Sequence, residues 1–346
     1  MTLSERIQEL CGAVGTPGNE VEVRRRISSL LPDGCTRRVD TLGNLLVEKK
    51  GAKAPASPIL FSAHMDEPGL IVENVDPLTA GVRFALSGNL DTHLLSGRKV
   101  WVLSGTERIP GVIGIKPIHV LRSTEPDEPM PAEDLFIDLG CMKKEDAEKL
   151  VHPGDAAAFA GAVTPFGHRM LRGRALDSRS ACAVLLGLLE QDLPYDITAV
   201  FTVQRETGSA GMKTAAFQVQ PGAAVVLESV PSADLASLGA KKDSPKLEEG
   251  PVLSLREQKS FYDRELFVRC QELAEQEKIP VQIRSAAFGT GNGLAAQTAG
   301  RGTRVLELGI PSRYSRTPCC VQSLKDLDAL EKLLLPVVGM VGDILS

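Results

Sequence analysis

The stretch SPILFSAHMDEPGLIV, residues 57–72, decides the fold. Ile59, Leu60 and Phe61 form an apolar run without alternation, which reads as a strand buried on both faces. It leads into a loop carrying His64 and Asp66 at the C-terminal end, where an open α/β sheet presents polar ligands. The same grammar recurs downstream. ALDSRSACAVLLGLLEQDL (175–193) predicts a helix with Asp177 near its start and Val184, Leu185 and Leu188 on its buried face. DITAVFTVQRETGSAG (196–211) predicts a strand over 197–203 that breaks into a glycine-rich loop holding Arg205 and Glu206, and AAVVLESV (223–230) a buried strand ending at Glu228.

Outward from these, SERIQELCGAVG predicts a first helix with Ser4 as N-cap and Gly15 as stop. A second follows, with Val23, Ile27 and Leu30 on one face. CTRRVDTLGNLLVEKKG predicts two strands around an Asp-Thr-Leu-Gly-Asn turn, YDRELFVRCQELAEQEKI the clearest helix, and DLDALEKLLLPVVGMV a closing one. VQIRSA and TRVLELGI read as strands flanking FGTGNGLAAQTAG, whose glycine spacing fits neither a dinucleotide fingerprint nor a P-loop. Between 73 and 162 the texture changes to short strands (GVRFALSG, KVWVLSG, RIPGVIGI, LFIDLG, DAAAFAG) broken by Gly and Pro, with KKEDAEKL the longest helical stretch. The expected organisation is an α/β domain over 1–72 plus 163–346 and an inserted β-rich domain over 73–162.

With 346 residues and 37.0 kDa the chain can bury a full core. A net charge of −5, from 39 basic and 44 acidic residues scattered along the chain, provides no field for a phosphate backbone, so no nucleic-acid partner is expected. Aromatics are only 4%, with Trp101 the single tryptophan, which argues against stacking platforms. Seven cysteines without CxxC spacing predict reduced thiols and a cytoplasmic location. The run LLLPVVGMVG is too short to span a membrane.

His64, Asp177, Glu206 and Glu228 each fall after a predicted strand or at a helix start, and imidazole with carboxylates suits Zn, Co or Mn. Asp66 is placed to fix the tautomer of His64. The order of AHMDEPGL, IPGVIGIKPIHVL, DLFIDLG, VHPGDAAAF, RGRALDSRSACAVLL, FTVQRETGSAGMKTAAF and SRYSRTP resembles that of the tetrahedral-assembly aminopeptidases, family M42, over essentially the whole chain. The resemblance implies a zinc-peptidase-like three-layer α/β/α sandwich with an inserted β-barrel-like domain. It also implies dimers building up to dodecamers, a peptide or amino-acid-like ligand, and no organic cofactor.

The resemblance further implies one metal held by His64, Asp177 and Glu228. A second would be bridged by Asp177 and held by Glu206 and a histidine. This chain departs from that pattern at three places. Arg316 stands at the histidine position, and the last histidine in the sequence is His168. Arg205 stands where a general-base glutamate precedes the ligand glutamate, and an arginine cannot accept a proton under physiological conditions. Gly291 replaces an aspartate that shapes the substrate pocket. Zero or one divalent metal per chain is therefore expected, with Arg316 or Arg205 paired to Glu206 or Asp177. Three readings stay open: an aminopeptidase-like protein with lost or reduced activity, a one-metal hydrolase, and a slow aminopeptidase using another carboxylate, such as Glu67, as base. Cys319 or Cys320 could replace the missing imidazole only if the loop reshaped.

Overall fold

The computed structural model describes residues 1–114, 131–235, 244–284 and 291–346. Residues 115–121 of the IPGVIGIKPIHVL run and Phe288, Gly289 and Thr290 of FGTGNG lie outside the described residues. In chain order the elements are α1 (Leu3–Gly12), α2 (Val21–Leu30), β1 (Cys35–Val39), β2 (Leu45–Lys49), β3 (Ile59–His64), β4 (Gly69–Val75), β5 (Val82–Ser87), β6 (Lys99–Ser104), β7 (Glu107–Gly114), β8 (Phe136–Asp138), α3 (Lys144–Ala147), β9 (Ala156–Phe159), β10 (Thr164–Phe166) and β11 (Met170–Gly173). There follow α4 (Leu176–Leu189), β12 (Ile197–Thr202), α5 (Ala210–Val219), β13 (Ala223–Pro231), β14 (Val252–Ser254), α6 (Arg264–Gln276), β15 (Gln282–Arg284), α7 (Asn292–Gln297), β16 (Arg304–Arg313), β17 (Cys320–Ser323) and α8 (Leu324–Leu345).

The larger sheet runs β1-β2-β12-β3-β13-β16-β17-β11-β10, with β14 beside β16 and β15 beside β14. Its centre, β12-β3-β13-β16, is parallel. Strand alternation divides the core between the two faces. Phe61, Phe201 and Val225 pack with α1, α4 and α8, whereas Leu60, Val200 and Val226 pack with α5 and α7. Each fully buried Phe or Leu contributes roughly 1.5–3 kcal/mol of apolar transfer. The result is the expected three-layer sandwich, entered where β3, β12 and β13 end.

Six strands, β4-β5-β8-β7-β6-β9, close into a barrel around Val82, Val100, Ile113 and Ile137. Its strands run from Gly69 to Phe159, so β4 crosses the expected boundary at 72/73. Gly88, at φ +104°, lets the barrel rim approach the sandwich: a Cβ there would lie 3.2 Å from Cβ of Glu206.

Two helix limits differ from expectation. Thr2, not Ser4, caps α1, because Thr2 and Glu5 bond reciprocally in a capping box. The helix stops at Gly12 rather than Gly15, since Arg179 draws the carbonyls of Leu10, Ala13 and Gly15 to itself. No described helix is long and apolar enough to cross a membrane.

Candidate metal centre

Strand register brings the site together. His64 ends β3 level with Thr202 of β12. Ser62 pairs with Val226 of β13, so Glu228, two residues on, stands beside His64 on the next strand. Glu228 lies inside β13 and not at its end as expected, because β16 goes on pairing as far as Pro231. Asp177 opens α4 with extended backbone (φ −87°, ψ 101°), so the helix is regular only beyond Ser178. Arg205 and Glu206 occupy the turn after β12.

Asp66 acts through two groups. Its carbonyl oxygen accepts the Nδ1–H of His64 at 3.0 Å, which turns Nε2 toward the centre. The tautomer is thus set by the backbone of Asp66, and the expected carboxylate stands farther from Nδ1 at 3.5 Å. That carboxylate instead accepts the backbone N–H groups of Arg205 (3.0 Å) and Glu206 (2.8 Å). It therefore holds the turn that aims both side chains inward.

The Arg205 guanidinium lies among the carboxylates. Nη1 donates to Glu206 Oε1 at 2.8 Å and Nη2 stands 3.0 Å from Glu228 Oε2, with the side chain 10% exposed. Burial opposes its charge, but Glu228, Glu206 and Asp177 raise its pKa well above the ordinary value. Arg316 is half-buried at φ +63° on the loop after β16. Among the described residues no carboxylate reaches ion-pair distance of it, and it acts on Asp177 only at longer range. Burial would raise the Asp177 carboxyl; His64, Arg205 and Arg316 outweigh that and hold it low. Burial would likewise lower His64, yet Asp177, Asp66 and Glu228 lift it to about 10. Glu206 is raised, chiefly by burial.

Among the described residues one group can hold a metal ion: His64, Asp177 and Glu206, whose ligand atoms lie within 4.8 Å of one another. Glu228 Oε2 is 3.7 Å from His64 Nε2, and Asp177 Oδ1 is 3.5 Å from it. His64 Nε2 and Asp177 Oδ1 are buried without a hydrogen-bond partner, whereas Glu228 Oε2 is ion-paired with Arg205. The imidazole of His64 and the carboxylates of Asp177 and Glu206, with ligand atoms within 4.8 Å of one another, fit a single divalent cation of the Zn, Co or Mn kind, which would displace the proton that the carboxylates hold on His64. A second ion finds Glu206 and Glu228 already engaged by a guanidinium.

Of the neighbours, Glu20 carried no legible signal in the sequence. Glu67 is not free to act as a base: its Oε1 is held by Arg174 and Arg179, both buried. Glu20 accepts the N–H of Gln204 at 3.0 Å and is pushed to about 7 by burial and by Asp66. Asn292 Nδ2 donates to Thr202 Oγ1 at 3.1 Å, and its N–H approaches Glu228 Oε1 at 3.4 Å. Cys320 is buried with its thiol turned to the carbonyls of Tyr314 and Thr317, while Cys319 is exposed, so neither replaces an imidazole.

Comparison with known proteins agrees with this fold. The family model described as M42 glutamyl aminopeptidase matches residues 43–333. An aminopeptidase from the archaeon Desulfurococcus kamchatkensis superposes with a TM-score of 0.91 at 27% identity, covering 97% of this chain and 94% of that one. A TET aminopeptidase from Thaumarchaeota archaeon SCGC AB-539-E09 does so with 0.92 at 26%, covering 99% of each. The TET1 peptidase of Pyrococcus horikoshii, which can assemble into a tetrahedron or a large octahedral shell, gives 0.86 at 30%, covering 97% and 99%.

Proposed function

The chain belongs to the M42 glutamyl aminopeptidase family, and we propose that it is a pseudoenzyme of that family, with peptidase activity lost or strongly reduced. The observation that carries this reading is the Arg205 guanidinium, 2.8 Å from Glu206 and 3.0 Å from Glu228. Peptide hydrolysis at such a centre needs a carboxylate to take a proton from water and return it to the leaving amine. A permanently charged donor cannot do so. Removing a positioned general base costs about 10²–10⁴ in rate.

His64 and Asp177, with Glu206 or Glu228, would hold one Zn, Co or Mn ion. A bound ion would supply Lewis acidity toward water and a carbonyl oxygen. Asp66 keeps Nε2 of His64 aimed at that place and fixes the turn that carries Arg205. The positive charge of Arg205 offsets the buried carboxylates with or without the ion. The unbonded Nε2 of His64 and Oδ1 of Asp177 favour a second reading, a one-metal hydrolase of altered chemistry. We assign a peptide or amino-acid-like ligand, a cytoplasmic location and a homo-oligomer between dimer and dodecamer, the last supported by the assembling P. horikoshii relative.

The test is hydrolysis of a panel of aminoacyl p-nitroanilides with Zn or Co, for the wild type and for Arg205→Glu combined with Arg316→His. The wild type is expected near background and the double variant at least about 10²-fold above it. Family-level turnover by the wild type, unimproved in the variant, overturns the reading.

A further inference from the structure

Where the barrel meets the sandwich, an open cavity of about 390 Å³ is lined from the barrel by Arg98, Lys99 and Phe159 and from the sandwich by Thr164, Arg172 and Cys319. None of the metal-centre residues lines it, and among the described residues no aspartate or glutamate does. A fourth cation in its wall, Arg174, is already engaged by Glu67. The other three are exposed and have no carboxylate at ion-pair distance among the described residues. Both guanidinium groups are anchored at Nε. Arg98 Nε donates to the Leu94 carbonyl at 2.8 Å, and Arg172 Nε donates to Thr164 Oγ1 at 3.3 Å with the Phe166 ring 5.7 Å from Cζ. Their Nη groups and Lys99 Nζ make no hydrogen bond to a described residue. At Gly161, also in the wall, nothing lies within 4 Å of where a Cβ would stand, so the recess is free of side chains there.

In a chain of net charge −5, three cations in one recess without a counter-charge are a local reversal of sign. A cleft lined by one sign of charge concentrates the opposite ion. A guanidinium held at Nε keeps its terminal N–H fork in place, which matches the oxygens of a phosphate, and lysine adds a point charge. The cavity is larger than a bare phosphate and leaves room for an organic remainder. We propose that it binds the phosphate group of a small anion, with Arg98, Lys99 and Arg172 as its partners. Such a ligand ties the barrel to the sandwich and is separate from any ligand of the metal centre.

The test is calorimetric titration of the full-length wild type, stripped of metal by chelation and desalted, with inorganic phosphate and with glycerol 3-phosphate at an ionic strength fixed by sodium chloride. The wild type binds; Arg172→Gln and Lys99→Gln each weaken binding at least about tenfold, the worth of a hydrogen bond to a charged group. Lys213→Gln, an exposed lysine on α5, leaves it unchanged. Tighter binding of glycerol 3-phosphate assigns a phosphate ester as the occupant, and tighter binding of the free ion assigns phosphate itself. Cys319 reports the place: with the ligand at ten times its dissociation constant, alkylation of this thiol by N-ethylmaleimide, read by peptide mass spectrometry, slows about tenfold. Binding of neither probe, equal weakening by Lys213→Gln, or an unchanged alkylation rate at Cys319 overturns the inference. So does light scattering in which Arg172→Gln breaks up an assembly while the wild type binds neither probe, since the cations then face a second copy of the chain.

Discussion

Two arginine–carboxylate clusters lie within a few residues of each other along the chain, and they are finished differently. Around Arg179, fully buried, every donor is met: Nε by the carbonyl of Met65, Nη1 by those of Leu10 and Ala13, and Nη2 by Gly15 and Glu67. Around Arg205 the account does not close. Its Nε has no hydrogen-bond partner, nor do His64 Nε2 and Asp177 Oδ1, which stand 3.5 Å apart. A cluster that only holds the fold together satisfies its polar atoms, because each one left open in the interior costs about 1–3 kcal/mol. A cluster that leaves three without a bond, two of them on residues of the group whose ligand atoms lie within 4.8 Å of one another, is built to take a further partner. The Arg179 cluster is scaffold, joining α1, β3 and α4, whereas the Arg205 cluster is a site.

This contrast predicts a graded series of effects. Arg179→Leu strands Glu67 beside one arginine and leaves the Met65 carbonyl without its donor, and should cost about 3–5 kcal/mol in urea unfolding regardless of added metal. Arg205→Gln also unpairs buried carboxylates and should fall at the lower end of about 3–5 kcal/mol in chelator. Here, though, Zn should restore stability, by about 2.7 kcal/mol at a hundred times its dissociation constant. If metal rescued Arg179→Leu, or failed to rescue Arg205→Gln, the distinction between the clusters would break. Asp66→Asn weakens the clamp on the 205–206 turn and should cost about 1.5–3 kcal/mol, the worth of a hydrogen bond to a charged group. Thr2→Ala, remote from both clusters, should lower stability by only ~1 kcal/mol through the lost cap, and metal affinity should not change.

The sequence made some of this visible and hid the rest for physical reasons. Strands β3, β12 and β13 are legible because a strand buried on both faces needs an uninterrupted apolar run, and ligands at its end follow from the sheet. Arg205 was readable because it directly precedes Glu206. Arg179 was not, since an arginine in DSRSA looks like an ordinary polar helix position until α1 supplies its carbonyls. The α1 cap was misplaced by two residues because Ser4 is a good capping type, and only the Thr2–Glu5 reciprocity decides between them. The end of β13 was misjudged because a strand stops where its neighbour stops, and β16 is long.

The central claim is that the guanidinium of Arg205 takes the place of a cation between Glu206 and Glu228. Elemental analysis of wild-type protein incubated with Zn or Co and then desalted tests it most directly. The account predicts no more than one ion per chain; two tightly retained ions per chain would contradict it.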